Sequence, residues 1–266
     1  MTRSNPDPAP EALLGWAESL MKYAADQSYP VQAHAYGADP EQVADLRVPA
    51  GGGPFPVIVS LHGGYFAAQW SRKLNDALSI ALTRSGFATW NVEYRRTGSG
   101  GNADISSRDV AAAIDHLLGL HIPLDPARVI VMGHSAGGYL ALRCACLNGV
   151  SHVIALAPVC DLAEAVRSGA DRGRIAPYMG GAPAERPQAY AAASLSHRLG
   201  AMKAITVIHG VDDRFVPILQ SSTFVASARS ASVSVDYFEL ASVGHFALID
   251  PRGSVWPLVA LAALCR

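Results

Sequence analysis

The 266-residue chain is poor in charge: 16% of its residues are charged, and 21 basic residues almost cancel 22 acidic ones to leave −1. With no basic stripe and no acidic block, nucleic acid and anionic membrane are not expected partners. Cysteine is scarce too. Cys144, Cys146, Cys160 and Cys265 are too few and too irregularly spaced for a disulfide framework or a zinc ribbon, so reduced thiols are expected. No apolar run approaches the roughly 20 residues of a membrane span. The opening MTRSNPDPAPEALLGW carries three prolines and an acid where a secretory signal needs an apolar stretch, and a cytoplasmic location is expected. H-E-x-x-H, C-x-x-C, G-x-x-x-x-G-K-[ST] and a G-x-G-x-x-G after a strand are all missing, so no metal, nucleotide or flavin cofactor is expected.

What is abundant is apolar sequence, at 50% of residues, enough for one sizeable core. The length suits a single α/β domain over 1–266. The first ten residues are Pro-rich and expected to fray; 1–42 reads as an N-terminal helical segment, with an amphipathic helix over 11–26 carried by Leu13, Leu14, Ala17, Leu20, Met21 and Ala24. Strands are expected at 43–48, 55–62, 87–94, 128–132, 152–157, 204–209 and 233–239. Helices are expected at 72–85, 104–119, 136–147, 217–230 and 254–264. Such alternation predicts a mostly parallel sheet with helices on both faces. The Ala-, Gly-, Arg- and Pro-rich stretch 161–200 breaks the rhythm and is expected to form a small inserted cap.

Four short motifs carry chemistry. Gly133-His134-Ser135-Ala136-Gly137 is a G-x-S-x-G that follows the apolar run Val129-Ile130-Val131-Met132 and opens a helix. A serine in so tight a strand-to-helix turn has its hydroxyl pushed out at the end of the sheet. His62-Gly63-Gly64-Tyr65 follows the 55–61 strand, and its glycine pair lets the backbone aim N–H groups at an oxyanion. Gly64, Tyr65 and Ala136 are the expected donors. Asp212 and Asp213 follow the 204–209 strand, where a carboxylate can orient an imidazole, and His245 in Gly244-His245-Phe246 is the histidine that follows the next strand. Asp161 is a second candidate acid, or the N-cap of a helix opening the insertion. His116, His121, His152 and His197 read as structural or solvated, and His62 and His134 as shaping the loop and the turn.

Serine, acid and histidine in that order, each after a strand, resemble the α/β-hydrolases of the esterase and lipase type with an HGG oxyanion loop. That branch includes hormone-sensitive-lipase-like carboxylesterases and serine-dependent kynurenine formamidases. The resemblance runs from about residue 43 to the C-terminus. It implies the α/β-hydrolase fold and a triad of Ser135, Asp213 and His245, since the H-G-x-x-D-x-x-V-P pattern of these families falls on Asp213 rather than Asp212. Tyr65 stands where the lipase-like esterases carry a third glycine, and HGGYF is similar to the HGGYW of kynurenine formamidases.

Tyr65, Phe66, His134 and Tyr178 are therefore expected substrate contacts. Trp16, Tyr23, Tyr29, Tyr36, Met179 and Tyr190 either roof the pocket or pack the cap. The expected activity is cleavage of a small to medium carboxylic ester or amide through an acyl-enzyme, without cofactor. An arylformamidase is the narrower alternative, and a catalytically silent hydrolase-fold binding protein is the alternative of another class. A homodimer is left open.

Overall fold

The computed structural model describes residues 6–266. A 3-10 turn over Pro10–Ala12 leads into α1 (Leu13–Gln27). Two strands follow, β1 (Gln32–Ala35) and β2 (Val43–Arg47). Then β3 (Phe55–Leu61), α2 (Asp76–Arg84), β4 (Ala88–Val92), α3 (Ala103–Leu118), β5 (Leu124–His134), α4 (Ala136–Cys144) and β6 (His152–Leu156) alternate. The 161–200 stretch holds three short helices, α5 (Leu162–Arg167), α6 (Ile175–Met179) and α7 (Pro187–Ala193), and a 3-10 turn over Ser196–Ala201. The alternation resumes with β7 (Ile205–Gly210), α8 (Leu219–Ser230), β8 (Val235–Leu240) and α9 (Trp256–Leu264).

All eight strands form one sheet in the order β1-β2-β4-β3-β5-β6-β7-β8. The β1–β2 and β2–β4 pairs are antiparallel and every other pair is parallel. Parallel strands covered on both faces are mostly apolar, and β4, β6 and β7 are buried at every position. Successive side chains alternate between the faces. Val57, Val59 and Leu61 join Val129 and Val131 in one core with Val110, Ile114 and Leu117 of α3, Leu140 of α4 and Phe224 of α8. Ile58, Ile130 and Met132 join Ile154, Leu156 and Ile208 in the other, against Ala17 of α1, Leu78 and Leu82 of α2 and Val259 of α9. Among the described residues, no helix is long and apolar enough to cross a membrane.

Two elements differ from the sequence reading. Strand β1 was not anticipated, because Gln32-Ala33-His34-Ala35 is a largely exposed edge strand with no apolar alternation; pairing with β2 forms it. Strand β5 begins at Leu124, four residues earlier than the expected strand at 128–132, because Leu124 pairs with Phe55 across a register shift.

Candidate active site

Ser135 sits between β5 and α4 with φ 56° and ψ −117°, a left-handed conformation that a side chain adopts only under constraint. The two motif glycines supply the room. A Cβ on Gly133 would lie 2.0 Å from the Gly137 carbonyl oxygen, and one on Gly137 would lie 2.2 Å from that of Leu61. The Ser135 N–H donates to the Leu156 carbonyl at 2.8 Å, fixing the turn on β6. The residue is buried, at 5% exposure.

The loop after β3 lies against this turn: a Cβ on Gly63 would stand 3.1 Å from Ser135 Cβ. Gly64, Tyr65 and Phe66 follow at φ 112°, 54° and 55°, three successive left-handed residues. Glycine is required at 64, where a Cβ would fall 2.4 Å from Trp70 Cβ. The N–H groups of Gly64, Tyr65 and Ala136 find no main-chain acceptor among the described residues. Ala136 opens α4, where the first N–H groups have no partner within the helix.

The acid loop leaves β7. Asp213 Oδ1 accepts from the Phe215 and Val216 N–H groups, each at 2.8 Å. Its Oδ2 lies 2.6 Å from His245 Nδ1 and 3.2 Å from His209 Nε2, with the carboxylate fully buried. Burial alone would raise its pKa, but the two imidazoles outweigh it and hold the carboxyl well below the usual range. Asp212 is exposed, and Asp161 caps α5 by accepting from the Glu164 N–H at 2.8 Å. Of the three acids weighed in the sequence, only Asp213 therefore meets His245. Against Asp213, the His245 ring carries its proton on Nδ1, which leaves Nε2 as the free acceptor.

His134, expected as a substrate contact, is buried. Its Nε2 faces the His245 carbonyl at 3.0 Å and its ring lies 4.3 Å from the His245 ring, so it holds the base loop beside the serine turn. Burial, and then the neighbouring His245, push its pKa well below the ordinary histidine value. Phe66 and Tyr178 pack on each other. Their rings stack 4.0 Å apart at 9°, both nearly inaccessible, so the pair docks α6 on the core while Phe66 also lines the slot beside Tyr65. Tyr65 remains at the surface of the site. With Phe66, Val159, Ile175, Phe215 and Val216 it lines a narrow slot of about 10 Å³, and burial raises its hydroxyl to about 12.

A larger cavity of about 690 Å³ opens between the 161–200 insertion and α8. It is lined by neither Ser135, Asp213 nor His245, but shares Pro217 and Gln220 with the slot. The N-terminal aromatics pack and do not roof: Trp16 lies 4.7 Å from Phe246, and Tyr29 and Tyr36 donate to the Val48 and Glu93 carbonyls.

Two acids escaped the sequence reading. Glu93, at the end of β4, lies 2.8 Å from His62 Nε2, accepts from the Arg72 N–H at 2.9 Å and pairs with Arg96. Burial opposes its charge, yet these partners hold its pKa at about 2. Tyr94 completes this floor under the glycine loop, donating to the His62 carbonyl at 2.7 Å. The signal was a lone acid ending an apolar strand. The other is Asp7, inside the stretch expected to fray but only 7% exposed; residues 1–5 of that stretch lie outside the described residues.

Comparison with known proteins places this geometry. The structure is similar to an inhibited esterase B from Lactobacillus rhamnosis, at 21% identity and a TM-score of 0.78 over 96% of this chain and 94% of that one. It is also similar to a hyperthermophilic esterase from Pyrobaculum calidifontis, at 19% identity and a TM-score of 0.77 over 96% and 90% of the two chains. In sequence, a 74-residue stretch is 34% identical to S-formylglutathione hydrolase of Rattus norvegicus, covering 27% of this chain and only 23% of that protein. Likeness at such identity establishes the fold, which is that of the α/β-hydrolases. The BD-FAE family model matches residues 44–227, well over half of the chain and inclusive of the glycine loop, the serine turn and Asp213, and the chain belongs to the BD-FAE family.

Proposed function

We propose that this chain is a serine hydrolase that cleaves a small to medium carboxylic ester through a triad of Ser135, His245 and Asp213. The observation that carries the reading is the 2.6 Å contact between His245 Nδ1 and a fully buried Asp213, beside a serine in a strained turn. In the first half-reaction His245 Nε2 takes the Ser135 hydroxyl proton as the oxygen attacks the carbonyl. Asp213 stabilises the imidazolium, and the N–H groups of Gly64, Tyr65 and Ala136 receive the oxyanion. The leaving alcohol departs with the proton from His245. Water, deprotonated by the same nitrogen, then releases the acid and restores Ser135.

A second reading, an arylformamidase acting on N-formylkynurenine or a related aryl formamide, is favoured by Tyr65 and Phe215, two of the three aromatic rings lining the narrow slot, with Phe215 stacked 5.5 Å from His245. The proposal puts the enzyme in the cytoplasm: the four cysteines are unpaired, with Cys144 and Cys160 buried, as suits a reducing compartment.

The test is hydrolysis of p-nitrophenyl butyrate and N-formylkynurenine by wild type and Ser135→Ala, with fluorophosphonate labelling in parallel. The ester should be cleaved by the wild type, with a loss on the order of 10⁶ in kcat in the variant. Preference for the formamide would select the second reading. An unlabelled Ser135 with neither substrate cleaved would sink both in favour of a silent binding protein.

A further inference from the structure

Acid and base reach the site on separate loops, Asp213 after β7 and His245 after β8. The strands pair as far as Gly210 and Leu240, and the loops stay laced by Val211 N–H to the Leu240 carbonyl at 2.9 Å and Asp212 N–H to the Val243 carbonyl at 3.0 Å. Beyond Asp212 the two backbones no longer bond to each other. At this point the N-terminal segment enters. Asp7 Oδ2 accepts from the Arg214 N–H at 3.0 Å, and Oδ1 accepts from the Phe246 N–H at 3.1 Å. These are the residues immediately after Asp213 and His245. Room for the carboxylate comes from Gly244, where a Cβ would fall 2.5 Å from Asp7 Oδ1.

We propose that Asp7 is a positioning residue for the triad, one carboxylate bridging the acid and base loops and so setting the approach of His245 to Asp213. The inference rests on the serine-hydrolase reading for its catalytic consequence. Its physical basis is independent. Each carboxylate oxygen bonds a different loop, the partners lying 207 and 239 residues away in sequence, and Asp7 itself is only 7% exposed. A charge-assisted bond from a buried carboxylate to an amide is roughly twice as strong as a neutral one. Burial raises the Asp7 pKa while the two amides oppose that rise, so the same bonds that hold the loops also support the charge. Without the carboxylate, the part-buried Arg214 N–H and the buried Phe246 N–H lose their acceptor, and the loops part where no other backbone bond joins them. The Asp213–His245 pair is then left to hold its own register. Asp7 does not touch substrate.

The experiment compares wild type, Asp7→Ala and Asp7→Asn, the last retaining one acceptor oxygen and the side-chain shape. Measured are kcat and KM for p-nitrophenyl butyrate, the number of active sites by burst titration, and the low-field proton resonance of the His245 Nδ1–H. We expect Asp7→Ala to lower kcat per active site about 10- to 100-fold, the size expected for a small misplacement of catalytic groups, with KM nearly unchanged. The Nδ1–H resonance should shift or broaden, and Asp7→Asn should recover part of both. A merely structural staple would lower the melting temperature and the fraction of competent sites while kcat per site and the resonance stay as in wild type; that result overturns the proposal. Should Asp7→Ala fail to fold, Asp7→Asn carries the same comparison. The resonance also separates the two readings. If Ser135 proves unreactive, the hydrolase reading fails, and an altered or unaltered His245 signal still decides whether Asp7 sets the pair.

Discussion

His245 Nδ1 lies 2.6 Å from Asp213 Oδ2, whereas Asp212, the adjacent residue, is exposed to solvent. One peptide unit thus separates a carboxylate held charged inside the protein from one that water solvates. Asp213→Asn should leave the fold in place and drop kcat by about 10⁴, because the amide favours the wrong imidazole tautomer. Asp212→Asn and Asp161→Asn should keep near-wild-type kcat. Steady-state hydrolysis of p-nitrophenyl butyrate by the three variants checks this; a comparable loss in either control would reassign the acid.

Gly64 is the second point of test. Its φ of 112° and the 2.4 Å approach of a would-be Cβ to Trp70 leave no room for alanine without moving the loop. Gly64→Ala should cost about 10²–10³ in kcat, the loss typical of one displaced oxyanion donor. Gly200→Ala, where a Cβ meets nothing within 4 Å, should change neither kcat nor melting temperature.

Glu93 links acidity to stability. Its pKa falls from an ordinary 4.5 to about 2 in the folded chain, so the unfolded chain binds the extra proton between those values. The stabilisation is complete above about pH 4.5 and is lost as pH falls towards 2, a total of about 3 kcal/mol. Urea denaturation of wild type and Glu93→Gln at stepped pH should show the difference shrinking across that window. At pH 7 the variant should be less stable by about 3–5 kcal/mol, since it leaves the buried Arg96 short of a counter-charge. A difference independent of pH would contradict the assignment.

The Phe66–Tyr178 stack makes a prediction about the insertion. Tyr178→Ala removes a fully buried ring and should destabilise by about 3–5 kcal/mol. Because α6 docks through this ring, proteolysis should cut first within 161–200 in the variant. Cleavage elsewhere, with 161–200 still protected, would mean that other contacts hold the insertion.

Much of the architecture was legible locally. Val57, Ile58 and Val59 are β-branched neighbours that suit a strand covered on both faces, and the inner strands β5, β6 and β7 carry apolar runs of the same kind. The serine turn and the glycine loop were legible for a related reason. Gly133, Gly137 and Gly64 mark backbone approaches too close for any side chain, and that requirement shows in the residue type itself. The edge strand β1 was not legible, because it has no buried face to impose a pattern.

The sequence by itself determined every strand but β1, the order of those elements and the strand ends that bear Ser135, Asp213 and His245, since periodicity and turn chemistry act over a few residues. Only the tertiary structure decided that His134 packs on His245, that Phe66 and Tyr178 pack each other, that Glu93 meets His62 of the glycine loop, and that Asp7 bonds the loops of Asp213 and His245. Each depends on a partner far off in sequence, up to 239 residues away for Asp7, and for the two acids on burial that strengthens a charge-assisted bond. An acid among prolines reads as a solvated tail until the chain closes around it and removes the water.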